Sequence, residues 1–120
     1  RSKIAELRSR RRQIELNART RRAEAERDLV ATAVEYRRAR EAAQVAAEVV
    51  EEARETLRVA EESFRFGAAT SLDVLDGQRT LTQARFDRIQ AAHDALVARA
   101  DLCALLGLLP FEPLGPEDSP

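Results

Sequence analysis

Two aspartates, one cysteine and one histidine are the residues of this chain whose side chains could do chemistry. Asp73 and Asp76 are three residues apart, which places two carboxylates on one face of a helix, where they could bind a cation. Acidic residues are also favoured in the first turn of a helix by the helix dipole, and we prefer this simpler interpretation. Cys103 lies in an apolar run and is expected to be buried, and His93 is expected to be a packing residue.

These residues do not form a catalytic or metal-binding pattern. One cysteine and one histidine are too few for a zinc motif, and the sequence has no glycine-rich phosphate loop and no Ser/His/Asp arrangement. We therefore predict that the protein is not an enzyme, with no catalytic residues, no metal site and no cofactor.

The placement of glycine and proline indicates two long helices. Residues 1–66 contain neither, and Gly77 is the only one in the helical region that follows the first glycine. Because these two residue types interrupt helices most strongly, the sequence predicts one helix over about 2–66 and a second over about 71–106.

The short segment between the helices has the composition of a tight turn. Gly67 can adopt the left-handed conformation that ends a helix. Thr70 can cap the second helix, with Asp73 three residues later completing a capping box. A turn of about four residues, 67–70, makes the two helices antiparallel.

The composition agrees with a long helical structure. Charged residues make up 34% of the chain and aromatic residues 4%, as in coiled coils. The predicted fold class is all-α, a long antiparallel helical hairpin that resembles a coiled coil. The hairpin is expected to cover residues 1–107, and the tail, 108–120, contains all four prolines and cannot be helical throughout.

Each predicted helix carries two apolar stripes at spacings of three and four residues. In the first helix, one stripe is rich in alanine and the other is made of valine: Leu29, Ala33, Tyr36, Ala39, Ala43, Ala46, Val50, Ala53, Leu57, Ala60 and Phe64, and then Val30, Val34, Val45, Val49 and Val59. In the second helix, the stripes are Leu75, Thr82, Phe86, Ile89, Leu96, Ala100 and Cys103, interrupted by Arg79 and His93, and then Val74, Leu81, Ala84, Ala91, Ala95, Ala98, Leu102 and Leu105. Apolar surface in two directions predicts that each helix packs between two neighbours.

The N-terminal part of the chain is basic. Residues 1–22 carry nine basic and two acidic side chains, which would suit a nucleic-acid or membrane-surface binder. The segment has no interleaved aromatic residues to stack on bases, so we interpret it as a solvated helix face and expect no nucleic-acid partner.

Four short segments resemble the TolC-like outer membrane efflux protein family. Residues 64–67 read aromatic, arginine, aromatic, glycine, and residues 73–76 read Asp-Val-Leu-Asp. Residues 79–82 read Arg-Thr-Leu-Thr, and the second helix closes in Ala-Leu-Leu-Gly at 104–107. The resemblance covers roughly residues 29–107.

The resemblance implies a function that the periodicity alone does not. Hairpins of this family form the periplasmic half of a trimeric α-barrel tunnel, which a β-barrel outside this chain continues through the outer membrane. It implies a homotrimer that acts as a passive conduit in efflux or type I secretion, with a periplasmic adaptor (membrane fusion) protein and an inner membrane pump as partners. The adaptor would dock at the hairpin tip: Phe66, Gly67, Ala68, Ala69, Thr70 and Ser71.

The tip also departs from the family pattern. Some members close the tunnel mouth with a tyrosine and an arginine at the positions that hold Phe64 and Ala69 here, which argues against that type of lock. The alternative function, from another class, is a cytoplasmic helical scaffold that self-associates through its alanine-rich seams.

Overall fold

The computed structural model describes residues 2–107, which form two helices, α1 (Ser2–Arg65) and α2 (Ser71–Leu105), and no strand. The two helices fold back on each other through a five-residue connection and pack along the whole of α2. The predicted all-α helical hairpin is confirmed. The predicted proline-rich tail, 108–120, lies outside the described residues.

Small residues dominate the seam between the helices. The buried positions are Ala39, Val50 and Ala53 in α1, and Gly77, Leu81, Ala84, Ala98 and Cys103 in α2. Val50 is completely buried and forms one cluster with Ala53, Leu81 and Ala84, against which Leu57 packs. Short side chains let the two backbones approach closely, so this narrow seam holds a long hairpin together without a wide core.

The two helices approach each other closely at Gly77. A Cβ atom added at this glycine would lie 3.1 Å from the Cδ1 atom of Leu57 and 3.5 Å from its Cα atom. Glycine inside a helix costs about 1 kcal/mol relative to alanine, so its presence here needs a structural reason. The nearby backbone of α1 supplies that reason.

The alanine-rich stripe of α1 faces the stripe of α2 that contains Leu81, Ala84 and Ala98. The other two stripes remain exposed, except at the end of α2, where Cys103 is buried. They include Val30, Val34, Val45, Val49 and Val59 on α1, and Leu75, Phe86, Ile89 and Leu96 on α2. The prediction that each helix has apolar surface in two directions is therefore confirmed, and one of the two surfaces on each helix has no partner within residues 2–107.

The basic part of α1 extends beyond the end of α2, because α1 has 64 residues and α2 only 35. Its apolar side chains Ile4, Leu7, Ile14 and Leu16 are all exposed. The molecule is consequently long and thin, with a greatest extent of 98 Å.

Within residues 2–107, neither helix has a segment that is apolar enough over sufficient length to cross a membrane.

Candidate docking site at the hairpin tip

One side of the tip is formed by the C-terminal end of α1. Gly67 has a φ of 74°, the left-handed conformation that glycine adopts without steric cost. Its N–H donates to the carbonyl of Phe64 at 3.1 Å, and the N–H of Ala68 donates to the carbonyl of Ser63 at 2.8 Å. These two bonds form a Schellman motif, which pairs carbonyls that the end of a helix would otherwise leave free.

The start of α2 closes the other side of the tip. Thr70 has an extended backbone, and its hydroxyl oxygen accepts a hydrogen bond from the N–H of Asp73 at 3.3 Å. In return, the N–H of Thr70 donates to the Asp73 carboxylate at 2.9 Å. The turn is therefore fixed by hydrogen bonds on both sides, so a partner would meet a surface that is already ordered.

We expect Thr70→Ala and Asp73→Ala each to lower the stability of the hairpin by about 1 kcal/mol, the usual value of an N-cap interaction. The thermal midpoint of the helical circular dichroism signal measures this loss. Ser71→Ala is the matched control, because Ser71 is exposed and its side chain makes no hydrogen bond within residues 2–107. Equal midpoints for all three variants would show that the cap contributes nothing.

The predicted tip residues lie together in one loop, and most of them are exposed. Phe66 is the most exposed of the large apolar residues in residues 2–107, at 86%, and only Ala69 is half-buried. The sequence interpretation left out two neighbours: Phe64 and Leu72 are also exposed and extend the apolar surface on both sides of the turn. The exposure of Leu72 could have been predicted from the sequence. Leu72 belongs to neither apolar stripe of α2, so it was not expected to pack against another helix.

The other candidate residues do not form a site. Asp73 is engaged in the cap, and residues 2–107 hold no group of His, Cys, Asp and Glu side chains arranged for a metal ion. Cys103 is buried, as expected. His93 was expected to pack, but its side chain is 68% exposed and its Nδ1 atom lies 3.6 Å from the Asp94 carboxylate. Within this hairpin the expectation is wrong, because His93 lies on the stripe of α2 that α1 does not cover.

Charged side chains line α1 above the tip. Arg58 contacts Glu55 at 2.6 Å and Glu62 at 3.2 Å. The hydrogen bond from Arg58 lowers the pKa of Glu55, and the same bond raises the pKa of the guanidinium. Arg38 likewise lowers the pKa of Glu35, mainly through a hydrogen bond. These pairs are exposed, so they order the helix surface and contribute little to stability.

A comparison with protein families identifies the chain. The family model described as "Outer membrane efflux protein" matches residues 1–108, which is most of the 120 residues. The chain belongs to the outer membrane efflux protein family. Comparisons with curated proteins and with solved structures returned no match.

Outer membrane efflux proteins are channel components of the outer membrane and not enzymes, in agreement with the sequence interpretation. The family match also includes the basic segment, residues 1–22, which the resemblance from residue 29 onward did not reach. The basic segment thus lies within the region that the family model matches.

Proposed function

We propose that this hairpin is a periplasmic wall segment of a trimeric outer membrane channel for efflux or type I secretion. The family match supports a channel, and the shape of the molecule supports a wall, because a hairpin 98 Å long and only two helices wide encloses no interior of its own. An interior must then be formed between hairpins. The conduit is passive, and an inner membrane pump supplies the energy and selects the substrate.

The observation that carries the docking proposal is the tip. Its backbone is held by the Schellman motif on one side and by the capping box on the other, while Phe66 projects almost fully into solvent. A large aromatic side chain on an ordered turn is the type of residue that dominates binding energy at protein interfaces. We propose that a periplasmic adaptor protein binds here and that its surface covers Phe66 and the exposed Leu72.

The test compares a glycine at the tip with a glycine at the end of α2 that has a similar backbone conformation and similarly open surroundings. Gly67 and Gly107 both have positive φ, at 74° and 72°, and neither has an atom within 4 Å of an added Cβ. Valine at either position strains the backbone by about 1–2 kcal/mol. We expect Gly67→Val to weaken binding of the adaptor at least about tenfold, whereas Gly107→Val, at the far end of α2, leaves the affinity unchanged.

Phe66→Ala tests the same site without straining the backbone. Removal of an exposed aromatic anchor is expected to cost about 2 kcal/mol of binding free energy, or about thirtyfold in Kd, and to leave the helix content unchanged. Surface plasmon resonance with immobilised adaptor measures both effects. If Gly67→Val and Phe66→Ala both bind with the affinity of the unaltered protein while circular dichroism shows intact helices, the tip is not the docking site.

A further inference from the structure

Three arginines from the two helices line one shallow groove on the side of the hairpin. Arg54 of α1 lies on one wall, Arg85 and Arg88 of α2 lie on the other, and Ile89 and Ala92 form an apolar part of the surface. The groove has a volume of about 340 Å³. Because both helices line it, it lies over the seam and away from the tip.

The hairpin itself does not neutralise the positive charge of this groove. Arg54 contacts Glu51 at 3.3 Å, but Arg85 and Arg88 form no ion pair within residues 2–107. Three guanidiniums and one carboxylate leave a formal charge of +2. A guanidinium has only N–H donors, so the groove offers hydrogen bonds that an anion can accept.

The charges of α2 are separated onto two sides of the helix. The helix contains no glutamate, and its five aspartates are 3, 11, 7 and 7 residues apart, which keeps them on one side: Asp73, Asp76, Asp87, Asp94 and Asp101. Asp87 and Asp94 come two residues after Arg85 and Ala92, respectively, which is about 200° around the helix axis. The α2 wall of the groove therefore has no carboxylate of its own.

A second groove, on the opposite side of the seam, has the reverse character. It is lined by the three carboxylates of Glu35, Asp94 and Asp101, next to Arg38 and His93. A helix surface that is only solvated typically carries both signs of charge interspersed. In this hairpin an anion is instead attracted to one side and meets carboxylates on the other.

The residue types of the basic groove indicate what kind of anion fits it. All of its basic residues are arginines, whose planar guanidiniums pair with a carboxylate through two hydrogen bonds and stack on aromatic rings, as lysine does not. Ile89 is 67% exposed and lies beside these guanidiniums with Ala92. A ligand with a carboxylate and a flat apolar body would contact both kinds of surface.

We propose that this groove binds an aromatic carboxylate, with the carboxylate at Arg85 and Arg88 and the ring against Ile89 and Ala92. The volume is at the lower end of the range for small-molecule sites, about 300–1,000 Å³. The groove is open to solvent, so binding is expected to weaken as salt is added. This site goes beyond the channel function proposed above and does not depend on it.

The test is equilibrium dialysis of 2-naphthoate against the intact protein in phosphatidylcholine nanodiscs, with empty nanodiscs as the measure of uptake by lipid. The matched probe is 2-naphthamide, which has the same rings and no charge. We expect naphthoate to bind at least about tenfold more tightly than naphthamide, which corresponds to about 1.4 kcal/mol. Equal affinities would show that no guanidinium recognises the carboxylate.

A pair of double variants locates the bound ligand. Arg85→Gln/Arg88→Gln removes two charges from the groove and is expected to weaken naphthoate binding at least about tenfold, because glutamine keeps a polar side chain with good helix propensity but lacks the guanidinium. Arg79→Gln/Arg99→Gln removes the same charge from positions of α2 that do not line the groove, and should leave the affinity unchanged. Equal losses in the two proteins would overturn the proposal.

Ile89→Gln tests whether the apolar surface takes part. We expect this variant to bind naphthoate about fivefold more weakly, since the ring loses its apolar contact. Inorganic phosphate serves as an anion without an apolar body, and is expected to compete with naphthoate only weakly. If phosphate displaces naphthoate at equal concentration and Ile89→Gln binds normally, the groove accepts anions in general and the assignment to an aromatic carboxylate is wrong.

Discussion

Val50→Asp is expected to be the most damaging single substitution in the hairpin. Val50 is the one large side chain of residues 2–107 that is fully buried, and it packs with Ala53, Leu81 and Ala84 at the centre of the seam. The substitution removes about 1.5–3 kcal/mol of apolar burial and leaves a carboxylate among alanine and leucine side chains without a partner. We expect a total loss of about 3–5 kcal/mol.

Circular dichroism during thermal unfolding measures this effect. With about 4–8 °C per kcal/mol for a chain of this size, the midpoint should fall by at least about 12 °C. Val49→Asp is the matched control, because the neighbouring valine is 42% exposed and its aspartate can remain in water. If the two variants unfold at the same temperature, the seam in this structure does not hold the helices together.

The fold could be predicted because each of its features depends on nearby residues in the sequence. The glycine at 67, the threonine at 70 and the aspartate at 73 specify the end of one helix and the start of the next through local hydrogen bonds. A spacing of three and four residues then places alanine and leucine on one face of each helix. None of these steps requires knowledge of a distant contact.

Which stripe of α2 faces α1 was harder to predict. Both stripes are apolar, and a two-helix hairpin can bury only one of them. Gly77 supplies the missing information, because the lack of a side chain allows Leu57 to approach, and it lies between Val74 and Leu81 on the buried stripe.

Helix spacing alone does not determine which surface charges form ion pairs. Glu51 contacts Arg54 at 3.3 Å, whereas Glu61 and Arg65, which helix spacing also brings within reach of each other, are not among the ion pairs of residues 2–107. Several glutamates are within reach of each arginine on a helix surface, and the alternatives differ by only a few tenths of a kcal/mol. Arg58 instead contacts both Glu55 and Glu62, which helix spacing permits equally well.

Gly77→Leu is also expected to destabilise the hairpin strongly, because its new side chain begins 3.1 Å from the Cδ1 atom of Leu57. Leucine favours a helix over glycine by nearly 1 kcal/mol, so propensity alone predicts a gain in stability. The close backbone of α1 instead predicts a loss of stability. Further carbon atoms at Gly77 must push the helices apart where they approach closely, and overpacking of this kind costs about 1–3 kcal/mol.

Two further variants show whether the loss of stability in Gly77→Leu comes from contact with Leu57. Gly77→Ala adds only the Cβ atom, which the flexible end of Leu57 can avoid, so its thermal midpoint should stay within about 4 °C of the original. Leu57→Ala alone leaves a gap and is expected to lose about 2–3 kcal/mol.

The double variant Leu57→Ala/Gly77→Leu exchanges the large and small residues across the seam, so each change should relieve the other. We expect it to be more stable than the sum of the single effects predicts by at least about 1 kcal/mol, measured as a double-mutant cycle of unfolding free energies. Additive losses would mean that the two positions do not contact each other.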